Sequence, residues 1–354
     1  MDKKITYHEE TNRENTKKLR EVLATLPTFT RDFFRAMEPN TSAKTRISYV
    51  YDIRVFFCFL CECNPYFKNL DDITQIKLSD LEQLQPVDIE EYLEYLKLYE
   101  DAHGNTHTNG ERGLKRKLAA LRSFYNYYYK RELIHSNPTV IVDMPKLHKK
   151  EIVRLDADEV ADLLDYVEHG GDEMTGMKKV YFEKNKTRNL ALFTLLLGTG
   201  IRVSECVGLD LEDLDFKNNR IRIVRKGGKE DYVYFGDEVS EALYDYYAER
   251  MHLPTKEGHE HALFLSVQKR RMSVQAIENL VTDCARHVTT VKHITPHKLR
   301  STYGTNLYRE TGDIYLVAEV LGHNDVNTTR KHYAALEEDR KRRAASAVSL
   351  RKTE

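Results

Sequence analysis

Tryptophan is missing altogether, and glycine and proline are sparse, at 16 and 8 of 354 residues. So few breakers exclude collagen-like, Pro-rich and Gly/Ser-linker architectures. No stretch approaches the ~20 consecutive apolar residues of a membrane-spanning helix. The opening MDKKITYHEETNRENTKKLR lacks the apolar core of a secretory signal, so a cytoplasmic protein with no membrane partner is expected. Net charge is nearly lacking too. Lys and Arg number 55 against 56 Asp and Glu, leaving −1. That excludes a uniformly basic nucleic-acid coat but not a basic face balanced by an acidic one. The five cysteines are few and odd in number. Cys58, Cys61 and Cys63 cluster in FFCFLCEC with neither the second CxxC nor the spaced His that zinc would want. Buried free thiols in a reducing compartment are expected, with no metal.

What is present is enough for real cores, since 41% of residues are hydrophobic. At about 150 residues per domain, the length suggests two or three domains. The charge is segregated. Leu70 to Asp101 carries ten acidic residues against Lys77 and Lys97. From Arg112 to Lys150 the sign reverses: Arg112, Lys115, Arg116, Lys117, Arg122, Lys130, Arg131, Lys146, Lys149 and Lys150 face Glu132 and Asp143. Such a block is the footprint of phosphate binding or of a solvated helix face.

Helical periodicity dominates the chain as far as Pro145. Thr41 or Ser42 can cap a helix to about Leu60 with Ile47, Val50, Ile53 and Phe57 on one face. Pro86 can start another through Ile89, Tyr92, Leu93 and Leu96. HGNTHTNGERG reads as a loop. Leu114, Leu118, Leu121, Tyr125 and Tyr128 form an apolar stripe that Asn137-Pro138 brings to a stop. Lysines and Pro145 then mark a linker. The expected domains are 1–147 and 154–354, joined by 148–153. Asp156 or Asp158 caps the next helix, HGGDEMTGMKKVYFEKNKTRN loops out, and LALFTLLLGTG is buried. RIRIVRKGGKEDYVYF alternates and turns at Gly227-Gly228, a β-hairpin signal. Helices resume at Glu238, Ser273, Pro296, Asp313 and Asn327.

Four islands in the second half can carry chemistry. In LLLGTGIRVSECVGL, glycines force a turn before Arg202, and Glu205 shares its face three residues on. An arginine fixed there can offer a rigid fork to phosphate oxygens, or form an ordinary surface pair. Lys226 sits on the hairpin turn. In ITPHKLRSTYGTNL, Thr295 and Pro296 start a helix that presents His297 and Arg300 on one side. In DIYLVAEVLGHNDVNTTRKHYAAL, Gly322 ends a helix, His323 follows, and Tyr333 lies about two turns into the next helix.

Singly each island is common. In the order R…K…HxxR…LGH…Y they resemble the tyrosine recombinase (phage integrase) family. TGIRVSE looks like its first arginine box, TPHKLRST its second, and LGHNDVNTTRKHY its histidine-to-tyrosine box. The likeness extends over essentially the whole chain and leans toward the Xer-like group, the single-recombinase XerS type included. One spacing departs: Tyr333 is ten residues after His323 where nine is commonest, and His332 takes the usual place. His332 cannot form the family's covalent link, so Tyr333 stays the nucleophile and the preceding turn holds one extra residue.

The resemblance implies a mainly α fold with a small antiparallel sheet in the C-terminal domain. A helical core-binding (SAM-like) domain and a mixed α/β catalytic domain would form a C-shaped DNA clamp. It implies a cofactor-free enzyme in which Tyr333 attacks a DNA phosphate, Arg202 and Arg300 hold the non-bridging oxygens, and Lys226 protonates the leaving 5′ oxygen. His297 would take the tyrosine proton, His323 would hydrogen-bond the phosphate, and Glu205 would brace Arg202. Lys115, Arg116, Arg122, Arg220, Arg222 and Arg225 are expected on DNA phosphates. The partners implied are a double-stranded recombination site and further copies of the chain, a dimer on one site and a tetramer in the synapse. A C-terminal tail anchored by Val348 and Leu350 would pass to a neighbour. Three alternatives stay open: a type IB topoisomerase, a non-catalytic DNA-binding regulator, and a mobile-element integrase in place of a dimer resolvase.

Overall fold

The computed structural model describes residues 6–101, 103–148, 153–225, 227–323 and 326. Lys226, Asn327, His332, Tyr333, Val348 and Leu350 lie outside them. The chain divides into two compact units, Met1–Lys150 and Glu151–Glu354.

The first unit is helical: α1 (Tyr7–Leu23), α2 (Thr30–Met37), α3 (Ala43–Cys63), α4 (Pro86–Tyr95) and α5 (Glu111–Tyr129). Caps set the ends. Thr6 and Glu9 close a capping box on α1, the Ser42 hydroxyl accepts from Thr45 N–H on α3, and Pro86 opens α4. Val50, Ile53, Phe56, Phe57 and Leu60 of α3 meet Leu118, Leu121, Phe124, Tyr125 and Tyr128 of α5 in one core. The aromatics pack edge to face, as their quadrupoles favour, with Phe33 and Phe124 centroids 5.2 Å apart at 88°. Against the loop expected around HGNTHTNGERG, its start folds back on Leu98–Glu100. Two short antiparallel strands result, β1 (Leu98–Glu100) and β2 (Thr106–Thr108). Asp101 closes the turn by accepting from His103 N–H and Asn105 N–H. The cysteines also differ from expectation. Cys206 and Cys284 are buried, but Cys58 is half-buried, Cys61 is half-buried at the edge of the core, and Cys63 is exposed at the end of α3.

In the second unit α6 (Ala157–His169, capped by Asp156) leads to α7 (Gly176–Thr199), against which α6, α9 and α11 pack. From Gly176 onward the segment expected to loop out is instead the first half of α7. It is polar, but nothing between Met177 and Leu197 breaks a helix, and Asn185, Arg188 and Asn189 are already buried. After α8 (Val203–Gly208) come β3 (Leu214–Asp215), β4 (Arg220–Val224) and β5 (Glu230–Tyr234), an antiparallel sheet in that order. Ile221 opposes Val233 and Ile223 opposes Asp231. Among the described residues the last elements are α9 (Asp237–Arg250), α10 (Val274–Ala285), α11 (Pro296–Thr311) and α12 (Ile314–Val320). No helix among the described residues is long and apolar enough to cross a membrane.

Candidate active site

Helix ends build the site. Gly200 ends α7 in the left-handed region, φ 63°, and a Cβ there would strike the Tyr303 ring, so only glycine suits the turn. The turn delivers Arg202 to the N-cap of α8. Glu205, buried, grips Arg202 twice: its carboxylate accepts from the backbone N–H at 2.8 Å and from Nη1 at 2.8 Å. This is the brace expected of Glu205.

Arg300, in the second turn of α11, is 4% exposed. Its Nη1 donates to the Gly200 carbonyl at 2.6 Å and its Nη2 to the Leu321 carbonyl. His297, one turn earlier on the same helix, is exposed.

The end of α12 draws these parts together. Gly322 sits in the left-handed region, at φ 60°. It closes a Schellman turn. His323 N–H donates to the Ala318 carbonyl at 2.9 Å and Gly322 N–H to the Glu319 carbonyl at 2.8 Å. The next carbonyls face arginines from three elements. Arg225 Nη2 reaches Val320 O at 3.1 Å, Arg225 Nη1 reaches Leu321 O at 3.2 Å beside Arg300, and Arg202 Nη2 reaches Gly322 O at 3.1 Å. Guanidinium groups suit the negative end of a helix. Arg202, Arg300 and the backbone of His323 thus converge, with Glu205 behind Arg202.

The residues expected on DNA phosphates divide by their partners. Lys115 makes no ion pair with a described residue. Arg116 and Lys117 both pair with Asp52 of α3, Lys117 at 3.1 Å and nearly buried. Arg122 spends its guanidinium on the Thr139 and Val142 carbonyls behind α5. Arg220 pairs with Asp215 at 2.8 Å and lies 4.3 Å over the Tyr232 ring, and Arg222 pairs with Asp213 and Glu230. Arg225 is turned inward: its side chain is 10% exposed and bound to Asp231 at 2.8 Å and, as Arg300 is, to the carbonyls that end α12. The signal was there to read. On a strand, 221, 223 and 225 share one face and 220 and 222 the other, which sets Arg225 with the buried Ile221 and Ile223.

Comparison with known proteins supplies the class. Residues 153–340 match the phage integrase family. The chain is 33% identical over 305 residues to a tyrosine recombinase XerC of Caldanaerobacter subterraneus subsp. tengcongensis, covering 84% of this chain and 78% of that protein. It is 30% identical over 338 residues to a tyrosine recombinase XerS of Streptococcus thermophilus, covering 88% and 93%. Among solved structures, the fold is similar to the XerH site-specific recombinase bound to palindromic difH in a post-cleavage complex (TM-score 0.64, 21% identity, 87% and 80% covered). It is also similar to a lambda integrase dimer bound to a core site (TM-score 0.57, 16% identity, 84% and 94% covered).

Proposed function

Since the chain belongs to the phage integrase family, the tyrosine recombinases, and is an enzyme of site-specific DNA recombination, we propose that it exchanges strands through a 3′-phosphotyrosyl intermediate at Tyr333. The observation that carries this reading is the convergence of Arg202 and Arg300 on the carbonyls next to His323.

The Tyr333 phenol oxygen attacks the phosphorus in line, and the bond to the 5′ oxygen breaks. The phenol proton passes to His297, since a group of pKa ~10 is rarely ionised at neutral pH. Lys226 gives a proton to the departing 5′ oxygen. Arg202 and Arg300 hold the non-bridging oxygens, where charge builds in the transition state, and His323 adds a hydrogen bond. Glu205 keeps the Arg202 fork oriented and does not exchange protons with DNA. The link conserves the phosphodiester, so a 5′-hydroxyl from a second strand attacks it in return and frees Tyr333. Two such exchanges pass through a Holliday junction and need a dimer on each site and a tetramer in the synapse, without metal or nucleotide cofactor. Resolution of chromosome or plasmid dimers is favoured over insertion of a mobile element, because the XerS relative matches over nearly the full length of both chains.

A nicked suicide site tests this. Wild-type chain should accumulate a covalent protein–DNA adduct, and Tyr333→Phe should bind the site without any adduct. Arg202→Ala should slow adduct formation by about 10²–10³-fold, the scale of losing a transition-state donor. An adduct formed by Tyr333→Phe would refute the assignment. Sequencing the trapped DNA separates a replication-terminus site, expected of a dimer resolvase, from the ends of a mobile element.

A further inference from the structure

Arg225 immediately precedes Lys226, yet its side chain is directed into the protein. We propose that Arg225 is a positioning residue for cleavage, tying the backbone that immediately precedes Lys226 in the sequence to the carbonyl end of α12 just ahead of His323. The proposal rests on Lys226 being the leaving-group acid.

Backbone and side chain are both anchored. Arg225 N–H donates to the Lys229 carbonyl at 2.8 Å, and its own carbonyl accepts from Gly228 N–H at 3.1 Å, so both ends of the short turn are pinned at this residue. The guanidinium then reaches out of the hairpin to the Val320 and Leu321 carbonyls. Asp231, across the turn on β5, takes Nε at 2.8 Å and fixes the plane of the fork. Glu205, 3.9 Å from Nη1, adds a second carboxylate, the same one that braces Arg202. Leu321 O accepts from Arg225 and from Arg300, so the hairpin and α11 meet on one atom. Close approach is built in: a Cβ at Gly322 would overlap the Arg225 guanidinium. A lysine could not replace this geometry, because one ammonium cannot span two carbonyls and a carboxylate as a planar fork does.

Paired suicide substrates that differ in one atom test the role. One carries the natural 5′ oxygen at the scissile bond. The other carries sulfur there, whose thiolate departs without needing a proton. On the oxygen substrate, Arg225→Gln and Arg225→Lys should each cleave about 10–100-fold more slowly than wild type, a partial loss set against the ~10²–10⁴-fold that a general acid supplies. On the sulfur substrate they should come within about threefold of it. The ratio of the two rates does not depend on the fraction of folded enzyme, so a destabilised variant still gives an answer. Lys226→Ala is run beside them. If it is rescued by sulfur and the Arg225 variants are slowed equally on both substrates, Arg225 does not position the acid and the proposal falls. If sulfur fails to rescue Lys226→Ala, the assignment of Lys226 as the acid falls, and the proposal with it.

Discussion

Cys206 follows Glu205 directly, and burial pushes its thiol up to about 12. Burial does the same to Cys284, also to about 12. An unfolded thiol ionises near ~8.5. Between those values the unfolded chain loses protons that the folded chain keeps, so stability is complete below ~8.5 and drains away as pH rises toward about 12. Each thiol should take away about 2 kcal/mol between pH 8 and 10. Urea denaturation at the two pH values should show wild type losing more than Cys206→Ala/Cys284→Ala. Equal losses would show that the thiols do not carry the effect. The burial expected of the thiols from sequence holds for Cys206 and Cys284 but not for the α3 cluster. Five thiols look alike in a string, and only packing separates the deep pair from Cys58, Cys61 and Cys63 on α3.

Between elements, the most consequential polar contact in the first unit joins α3 to α5. Asp52 is buried, and desolvation pushes its carboxyl above the usual range, opposed by the cations of Lys117 and Arg116. Removing only the acid leaves the Lys117 ammonium buried and unbalanced. Asp52→Ala should therefore cost about 3–5 kcal/mol by urea denaturation, and Asp52→Leu/Lys117→Met should recover most of that. A loss under about 1 kcal/mol for Asp52→Ala would mean that Lys117 escapes to water. The helices themselves were legible because caps and apolar spacing agree: Ser42 before α3, Pro86 at the head of α4, Asp156 before α6. The β1–β2 ribbon was not, because three-residue strands carry no period. The first half of α7 is hidden in the sequence because its polar composition resembles a loop although no breaker interrupts it.

At the level of the whole molecule, a net charge of −1 conceals extensive internal pairing. Arginines of the 112–150 block and of the hairpin, expected on phosphates, hold Asp52, Asp213, Asp215, Asp231 and backbone carbonyls. Charge counting cannot separate a cation that faces DNA from one that staples the fold, because the difference lies in tertiary partners. Binding to a recombination site should still weaken steeply with salt, with a log–log slope of about −5 if six phosphates are neutralised. Lys115→Ala should shallow that slope by about 1. Arg122→Ala should leave it unchanged while lowering thermal stability, because the Thr139 and Val142 carbonyls lose their donor. The reverse pattern would place Arg122 on DNA. The order of arginines, histidines and tyrosine was fully legible as a motif, and what escaped was the inward turn of Arg225. The α7 helix bears on how this chain can vary in length. At about 1.5 Å and about 100° per residue, one residue added in its exposed half would swing Phe182 away from Tyr166, with which it packs 6.2 Å between centroids. Insertions there should be tolerated in sets of three or four, close to whole turns, whereas the Gly200 turn that follows α7 and sets Arg202 should tolerate none.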